Sequence, residues 1–342
     1  GHSHPAVVKA VKEQAELYMH VMVYGDFVLS PQVQLAQALA SRLPSPLESV
    51  YFVNSGAEAI EGAMKLAKKG TGRHQIIACA NAYHGSTHGA ASLMSDERFT
   101  QPFMPLLPGV GFIEFNKFED LEHITDQTAA VVMETVQGEV GLRAPVKEYL
   151  PALRNRCTEV GALLVLDEIQ AGYGRTGSLF AFQQFDIVPD ILCLAKAMGG
   201  GMPLGAFIAS KELMGSLAHS PALSHITTFG GHPVSCAAGL AVIHTIENEH
   251  LVESIPEKSA LFRTKLKHSR IRSLRHCGLW FALEFEDHTI VQEVVYRGLK
   301  KGILVDWFLF NDHSVRLCPP LTISIDQIEQ ACQIILSILD DL

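Results

Sequence analysis

Lys196 ends the apolar run Ile191-Leu192-Cys193-Leu194-Ala195 and stands just before the triplet Gly199-Gly200-Gly201. A lysine emerging from a buried strand loses its proton readily and can serve as a nucleophile or Schiff-base amine. Taken alone, the position also fits the commoner case of a lysine that snorkels to the surface. A second run, Ala162–Leu166, ends in Asp167-Glu168-Ile169-Gln170. A carboxylate ending a buried strand is costly without a partner. It can cap a helix, join an ion pair, or hold a proton on a basic ring nitrogen. A third run, Val50–Val53, is followed by Asn54-Ser55-Gly56-Ala57-Glu58 and a helical stretch. Such a small-residue turn aims several backbone N–H groups at one spot, and the helix dipole adds positive charge there. That suits a phosphate, although an ordinary strand-to-helix turn has the same sequence character.

Together these parts describe one cofactor. A phosphate cup, an Asp for a pyridinium nitrogen and a Schiff-base Lys are what pyridoxal phosphate requires of a protein. The Asp would keep the ring nitrogen protonated, so the ring could accept the electrons released when a substrate Cα–H bond breaks. The Lys would hold the cofactor as an aldimine and later shuttle the proton.

The elements that must position these groups follow from hydrophobic patterning. Apolar runs at 50–54, 75–80, 129–134, 162–168, 191–196 and 206–210 alternate with helical patterns at 57–69 and 148–159. Continuous apolar runs read as strands buried on both faces, and their alternation with helices implies a mostly parallel sheet. In such a sheet ligands sit at the C-terminal strand ends, where all three chemical groups fall. Upstream, helices are expected over 7–19 and 31–42, with a turn at Gly25-Asp26 between them. Helix 233–247 closes this part. Beyond it the pattern becomes α+β: helix 251–268, two strands within 272–286, helix 290–300, a strand near 303–309 and a closing helix 325–340. The expected organisation is an N-terminal segment (1–30), a large cofactor-binding domain (31–247) and a small C-terminal domain (248–342).

Composition excludes other classes. The 342 residues carry a net charge of −9, without the basic footprint of a nucleic-acid binder. Hydrophobic residues make up 48%, which argues against wholesale disorder. No apolar run approaches the roughly 18 residues of a membrane span. Seven scattered cysteines without a CxxC pair suit reduced thiols, hence a cytoplasmic protein. The opening Gly1-His2-Ser3-His4-Pro5 has neither the basic nor the apolar region of a signal peptide. It also lacks an initiator Met, so a natural segment is expected upstream.

Two patterns have plainer readings. Gly172-Tyr173-Gly174-Arg175-Thr176-Gly177 fits GxGxxG, but a dinucleotide site needs those glycines directly between strand and helix. His84 and His88 have zinc-helix spacing, but Gly85-Ser86-Thr87 between them is a poor helix former and no catalytic Glu is present. No metal site is expected.

Over essentially its whole length the chain resembles the class III (ornithine/acetylornithine-type, or ω-) aminotransferases of fold type I. The motifs are Asn54-Ser-Gly-Ala-Glu-Ala, Tyr83-His-Gly-Ser-Thr, Glu134-Thr-Val-Gln-Gly-Glu139, Asp167-Glu-Ile-Gln170, Ala195-Lys-Ala-Met-Gly-Gly-Gly, Thr227-Thr-Phe-Gly-Gly-His-Pro233 and Val315-Arg-Leu-Cys-Pro-Pro320. The resemblance implies a seven-stranded, mostly parallel sheet with flanking helices and a smaller α+β domain. It implies that Ser55, Gly56 and Ala57 bind the cofactor phosphate and that Tyr83 stacks on the ring. Asp167 would pair with the ring nitrogen, Gln170 would lie near the 3-hydroxyl, and His84 and Glu134 would join the cofactor site. Thr228 would reach the phosphate bound by the neighbouring subunit of a homodimer. Arg316 would grip a substrate carboxylate, with Glu139 pairing with it when that carboxylate is absent.

The implied reaction is transamination between a small-molecule amino donor and a keto acid, 2-oxoglutarate or pyruvate, in ping-pong half-reactions through a Lys196 aldimine. An aminomutase or decarboxylase could use the same scaffold. A nucleotide-dependent dehydrogenase and a non-catalytic homologue are the remaining alternatives. Two positions depart from the family pattern. Ser86 stands where many relatives carry a carboxylate-binding Arg, which weakens ornithine, acetylornithine and γ-aminobutyrate as substrates. Thr135 replaces a Pro, and no role is assigned to it.

Overall fold

The computed structural model describes residues 1–22 and 27–342. The turn expected at Gly25-Asp26 lies outside the described residues. A seven-stranded sheet is built from β1 (Ser49–Val53), β2 (Gln75–Cys79), β3 (Val110–Ile113), β4 (Thr128–Glu134), β5 (Leu163–Asp167), β6 (Ile191–Leu194) and β7 (Gly205–Ala209). The spatial order is β1-β7-β6-β5-β4-β2-β3. Only β7 runs against its neighbours; all other pairs are parallel. This is the mostly parallel α/β sheet of fold type I. β4, β6 and β7 are buried along their whole length, as continuous apolar runs require. Patterning does not single out β3. It is a short edge strand, Val110-Gly-Phe-Ile113, with a glycine inside it and less burial, so its apolar signal is weak.

The helix Gly56–Thr71 shows how local sequence sets an element. Ser55 caps it by accepting from the Glu58 N–H, Lys68 and Lys69 occupy the last turn, and Gly72 ends it at φ 69°. Its buried face carries Ala59, Ile60, Ala63, Met64 and Leu66 against the sheet. Gly62 allows the close approach: a Cβ there would lie 2.3 Å from the Phe207 ring on β7.

A second sheet, β8 (Ser273–Cys277), β9 (Trp280–Glu284), β10 (Asp306–Phe308) and β11 (Asn311–Leu317), is antiparallel in the order β10-β11-β9-β8. Helices Ile255–Lys265, His288–Lys300 and Ile325–Asp340 cover its own core, which includes Phe262, Phe281, Val291, Val315 and Ile335. The helix expected over 251–268 is shorter because Pro256 sits in its first turn and fixes its start. β11 is not among the strands that patterning predicts, and Arg316 is its penultimate residue.

The two layers meet at Trp280, which packs with Val136, Ala171 and Phe308. A Cβ on Gly138 would come within 2.7 Å of the Trp280 ring, so the loop after β4 packs directly against it. Arg175 reinforces the junction by donating to the Leu279 and Pro319 carbonyls at 2.8 and 2.6 Å. The GxGxxG glycines therefore sit in an irregular loop between the layers, not at a strand-to-helix turn. No described helix is long and apolar enough to cross a membrane.

Candidate active site

Parallel register places Glu134 of β4 opposite Asp167 of β5, and Asp167 opposite Cys193 of β6. Three residues past Cys193 comes Lys196. The sheet thus delivers Glu134, Asp167 and Lys196 to one edge. They line a cleft of about 420 Å³ together with Ser55, Gly56, Ala57, Tyr83, His84 and Gln170.

The floor is a buried polar cluster. Asp167 Oδ2 accepts from His84 Nδ1 at 2.7 Å, and Oδ1 accepts from the Ile169 N–H at 2.9 Å. Burial alone would lower the His84 pKa, but the Asp167 hydrogen bond and the charges of Asp167 and Glu134 outweigh it and raise the pKa. Glu134 accepts from the Tyr83 and Gly138 N–H groups at 3.1 and 2.8 Å. Burial pushes its carboxyl up to about 7, although His84 and these hydrogen bonds pull the other way.

Lys196 sits at φ 48° in the left-handed region, directly after a fully extended Ala195. This turn swings it out of the strand direction into the cleft. Loss of hydration lowers its ammonium pKa, opposed by the charges of Asp167, Glu139 and Glu134. At the opposite wall Ser55 Oγ accepts from the Glu58 N–H and the Ser55 carbonyl from the Ala59 N–H. The Gly56 and Ala57 N–H groups at the helix mouth remain to meet an anion. The Tyr83 and Ser86 hydroxyls are hydrogen-bonded at 2.9 Å.

These groups fit pyridoxal phosphate by the chemistry of their donors and acceptors. An anion cup, a carboxylate acceptor, an aromatic ring and an amine eased toward its neutral form share one cleft.

Beyond Lys196 lies a carboxylate–guanidinium cluster. Glu139 Oε1 accepts from Gln170 Nε2 at 3.0 Å and from Arg316 Nη1 at 2.8 Å, while Oε2 accepts from the Leu309 N–H. The Arg316 side edge, Nε and Nη2, is taken by both oxygens of Asp306 at 2.9 and 2.7 Å. Its Cζ lies 5.3 Å from the centre of the Phe308 ring.

Sequence reasoning missed three of these residues. Asp306 faces Arg316 across the β10–β11 pair, a register that no local motif announces. Glu168 is buried and accepts from Thr135 Oγ1 and from the Ala181 and Phe182 N–H groups at 2.6–2.9 Å. Burial pushes its carboxyl up to about 7. Thr135 thereby has a part: its hydroxyl supports Glu168 where proline could offer nothing. His84 and His88 do not converge, for His84 meets Asp167 and His88 meets the Pro105 carbonyl. Thr228 is exposed and lies outside the residues lining its own chain's cleft.

The class III aminotransferase family model, "Aminotransferase class-III", matches residues 1–339. The chain belongs to this family of pyridoxal-phosphate-dependent enzymes. It is similar to the acetylornithine aminotransferase of Methanopyrus kandleri, 41% identical over 97% of this chain and 84% of that protein. It is also similar to the acetylornithine aminotransferase of Caldanaerobacter subterraneus subsp. tengcongensis, 37% identical over 100% of this chain and 87% of that protein. Among solved structures, the ornithine aminotransferase of Toxoplasma gondii superposes with a TM-score of 0.91 at 29% identity, covering 100% of this chain and 83% of that one. That structure is described as having partial occupancy of pyridoxal phosphate at its active site.

Proposed function

We propose that this chain binds pyridoxal phosphate through Lys196 and transfers amino groups to a keto acid, 2-oxoglutarate or pyruvate, in ping-pong half-reactions. The observation that carries the reading is the convergence of Lys196, Asp167 and the Gly56–Ala57 helix mouth on one cleft. Bound there, the cofactor would supply a carbonyl that condenses with amines and a ring that draws electrons from the substrate Cα. Ser55, Gly56 and Ala57 hold its phosphate, and Tyr83 covers its ring face. Asp167, oriented by His84, holds a proton at the ring nitrogen. Gln170 lies near the 3-hydroxyl, and Glu134 fixes the Tyr83 backbone. Lys196 supplies the anchoring amine and then moves the Cα proton, a task suited to an amine of lowered pKa.

Arg316 docks a substrate carboxylate, and Glu139 takes its place when none is present. Such a pair keeps the guanidinium from being left unpaired. The relatives' names do not fix the donor, because Ser86 offers no charge for a second carboxylate.

The site is completed by a second copy of the chain, which brings Thr228 to its neighbour's phosphate cup. Exposed Leu223, Ile226 and Phe229, with the Phe229 ring against His20 beside exposed Met19 and Val21, form the apolar surface such a dimer would bury. The two-domain division near residue 248 is proposed on the separate core of β8–β11.

The test is a visible absorption spectrum of the purified protein before and after L-glutamate. A cofactor band that bleaches with glutamate is expected. No band after reconstitution would overturn the reading, and a band indifferent to glutamate would overturn glutamate as donor.

A further inference from the structure

We propose that Asp306 is a positioning residue that sets which edge of Arg316 meets a substrate carboxylate. This rests on the reading of Arg316 above. A guanidinium has five N–H donors and two edges that match a carboxylate: the side edge, Nε with Nη2, and the end edge, Nη1 with Nη2. Asp306 occupies the side edge with both oxygens, at 2.9 Å to Nε and 2.7 Å to Nη2. Glu139 makes one contact only, from Nη1 at 2.8 Å. The end edge is therefore the docking edge, and an incoming carboxylate has to displace Glu139 alone.

Two further observations support a fixed geometry. Asp306 and Arg316 are direct cross-strand partners, so both side chains project from the same face of the small sheet. The bulge after Trp307 shifts the register and brings the fully buried Phe308 ring beneath the guanidinium. With one edge clamped and one face covered, the end edge is the remaining approach. The Asp306 side chain is 57% exposed while that of Arg316 is 20% exposed. Water screens the charge of Asp306 more than it loosens a two-point hydrogen bond, so alignment outweighs repulsion of an anionic substrate. The cluster reaches the cofactor cleft through Gln170, which lines that cleft and donates to Glu139 at 3.0 Å.

The experiment measures binding of glutarate, a dicarboxylate without an amino or keto group, to the holoenzyme by calorimetry. Asp306→Ala is expected to weaken binding about tenfold, the scale of a charge-assisted contact. Asp306→Glu, which keeps a two-oxygen acceptor, should recover part of the loss. In turnover, the kcat/KM for L-glutamate should fall about tenfold further than that for a carboxylate-free primary amine, with the loss in KM. Unchanged or tighter glutarate binding in Asp306→Ala overturns the proposal, as does an equal loss with both donors. A wild-type holoenzyme that binds no glutarate also overturns it. Absence of wild-type transamination would instead sink the functional reading, so the two failures are distinct.

Discussion

His84 Nδ1 lies 2.7 Å from Asp167 Oδ2, and both side chains are buried at the C-terminal edge of the large sheet. The imidazole is 83 residues away in sequence, and the strand order β6-β5-β4-β2 brings it there. Asp167 thus has two partners, His84 and the Ile169 N–H, which hold its carboxylate at the cleft floor. Removing one donor to a charged group typically costs about 1.5–3 kcal/mol. His84→Ala is therefore expected to lower kcat about 10- to 100-fold by loosening Asp167. Steady-state kinetics at saturating cofactor check this; full rescue by added cofactor would reduce His84 to a binding role.

Lys196→Ala should remove both the anchoring amine and the proton carrier. The expected loss of transamination is on the order of a thousandfold or more, measured as keto product formed from the donor. Near-normal turnover would contradict the assignment of Lys196.

Glu139→Gln removes the charge that competes for Arg316 while keeping a side chain of the same size. The KM for the keto acid is expected to fall a few-fold, because the incoming carboxylate no longer displaces an anion. A rise in KM would show that Glu139 helps binding instead.

Stability should fall as pH rises from about 5 to 8. Burial raises the carboxyls of Glu134 and Glu168 to about 7, above their ordinary value of 4.5. Between those two values the folded state binds more protons than the unfolded state. Their contribution is therefore fully present below the ordinary value and lost as pH rises through about 7. Denaturant melts of the apoprotein across this range read the slope. Glu168→Gln should flatten it, at a cost in stability at every pH because an amide cannot accept all three hydrogen bonds. An unchanged slope would assign the pH dependence elsewhere.

Gly138→Ala places a methyl 2.7 Å from the fully buried Trp280 ring. Overpacking of this kind costs about 1–3 kcal/mol. A lowered melting temperature is expected. A wild-type melting temperature would mean that the loop after β4 yields without cost.

Local features are legible in the order of residues alone. Apolar runs mark β1, β2, β4, β5, β6 and β7; the central β4 and β6 and the strand β7 are buried along their whole length and so are apolar nearly throughout. The residues after three of those runs, Ser55–Ala57, Asp167 and Lys196, were legible as candidate chemistry because each punctuates a strand end. β3 was not, since a short edge strand with an internal glycine carries little apolar signal. Tertiary structure alone decided the pairings across distance. Strand order joined His84 to Asp167, and antiparallel register set Asp306 against Arg316. Burial turned Glu168 and Thr135 into a buried support that neither residue type signals. Hydrogen bonds between segments depend on where the chain returns, and that is set by strand order and register within each sheet rather than by any residue's neighbours in sequence.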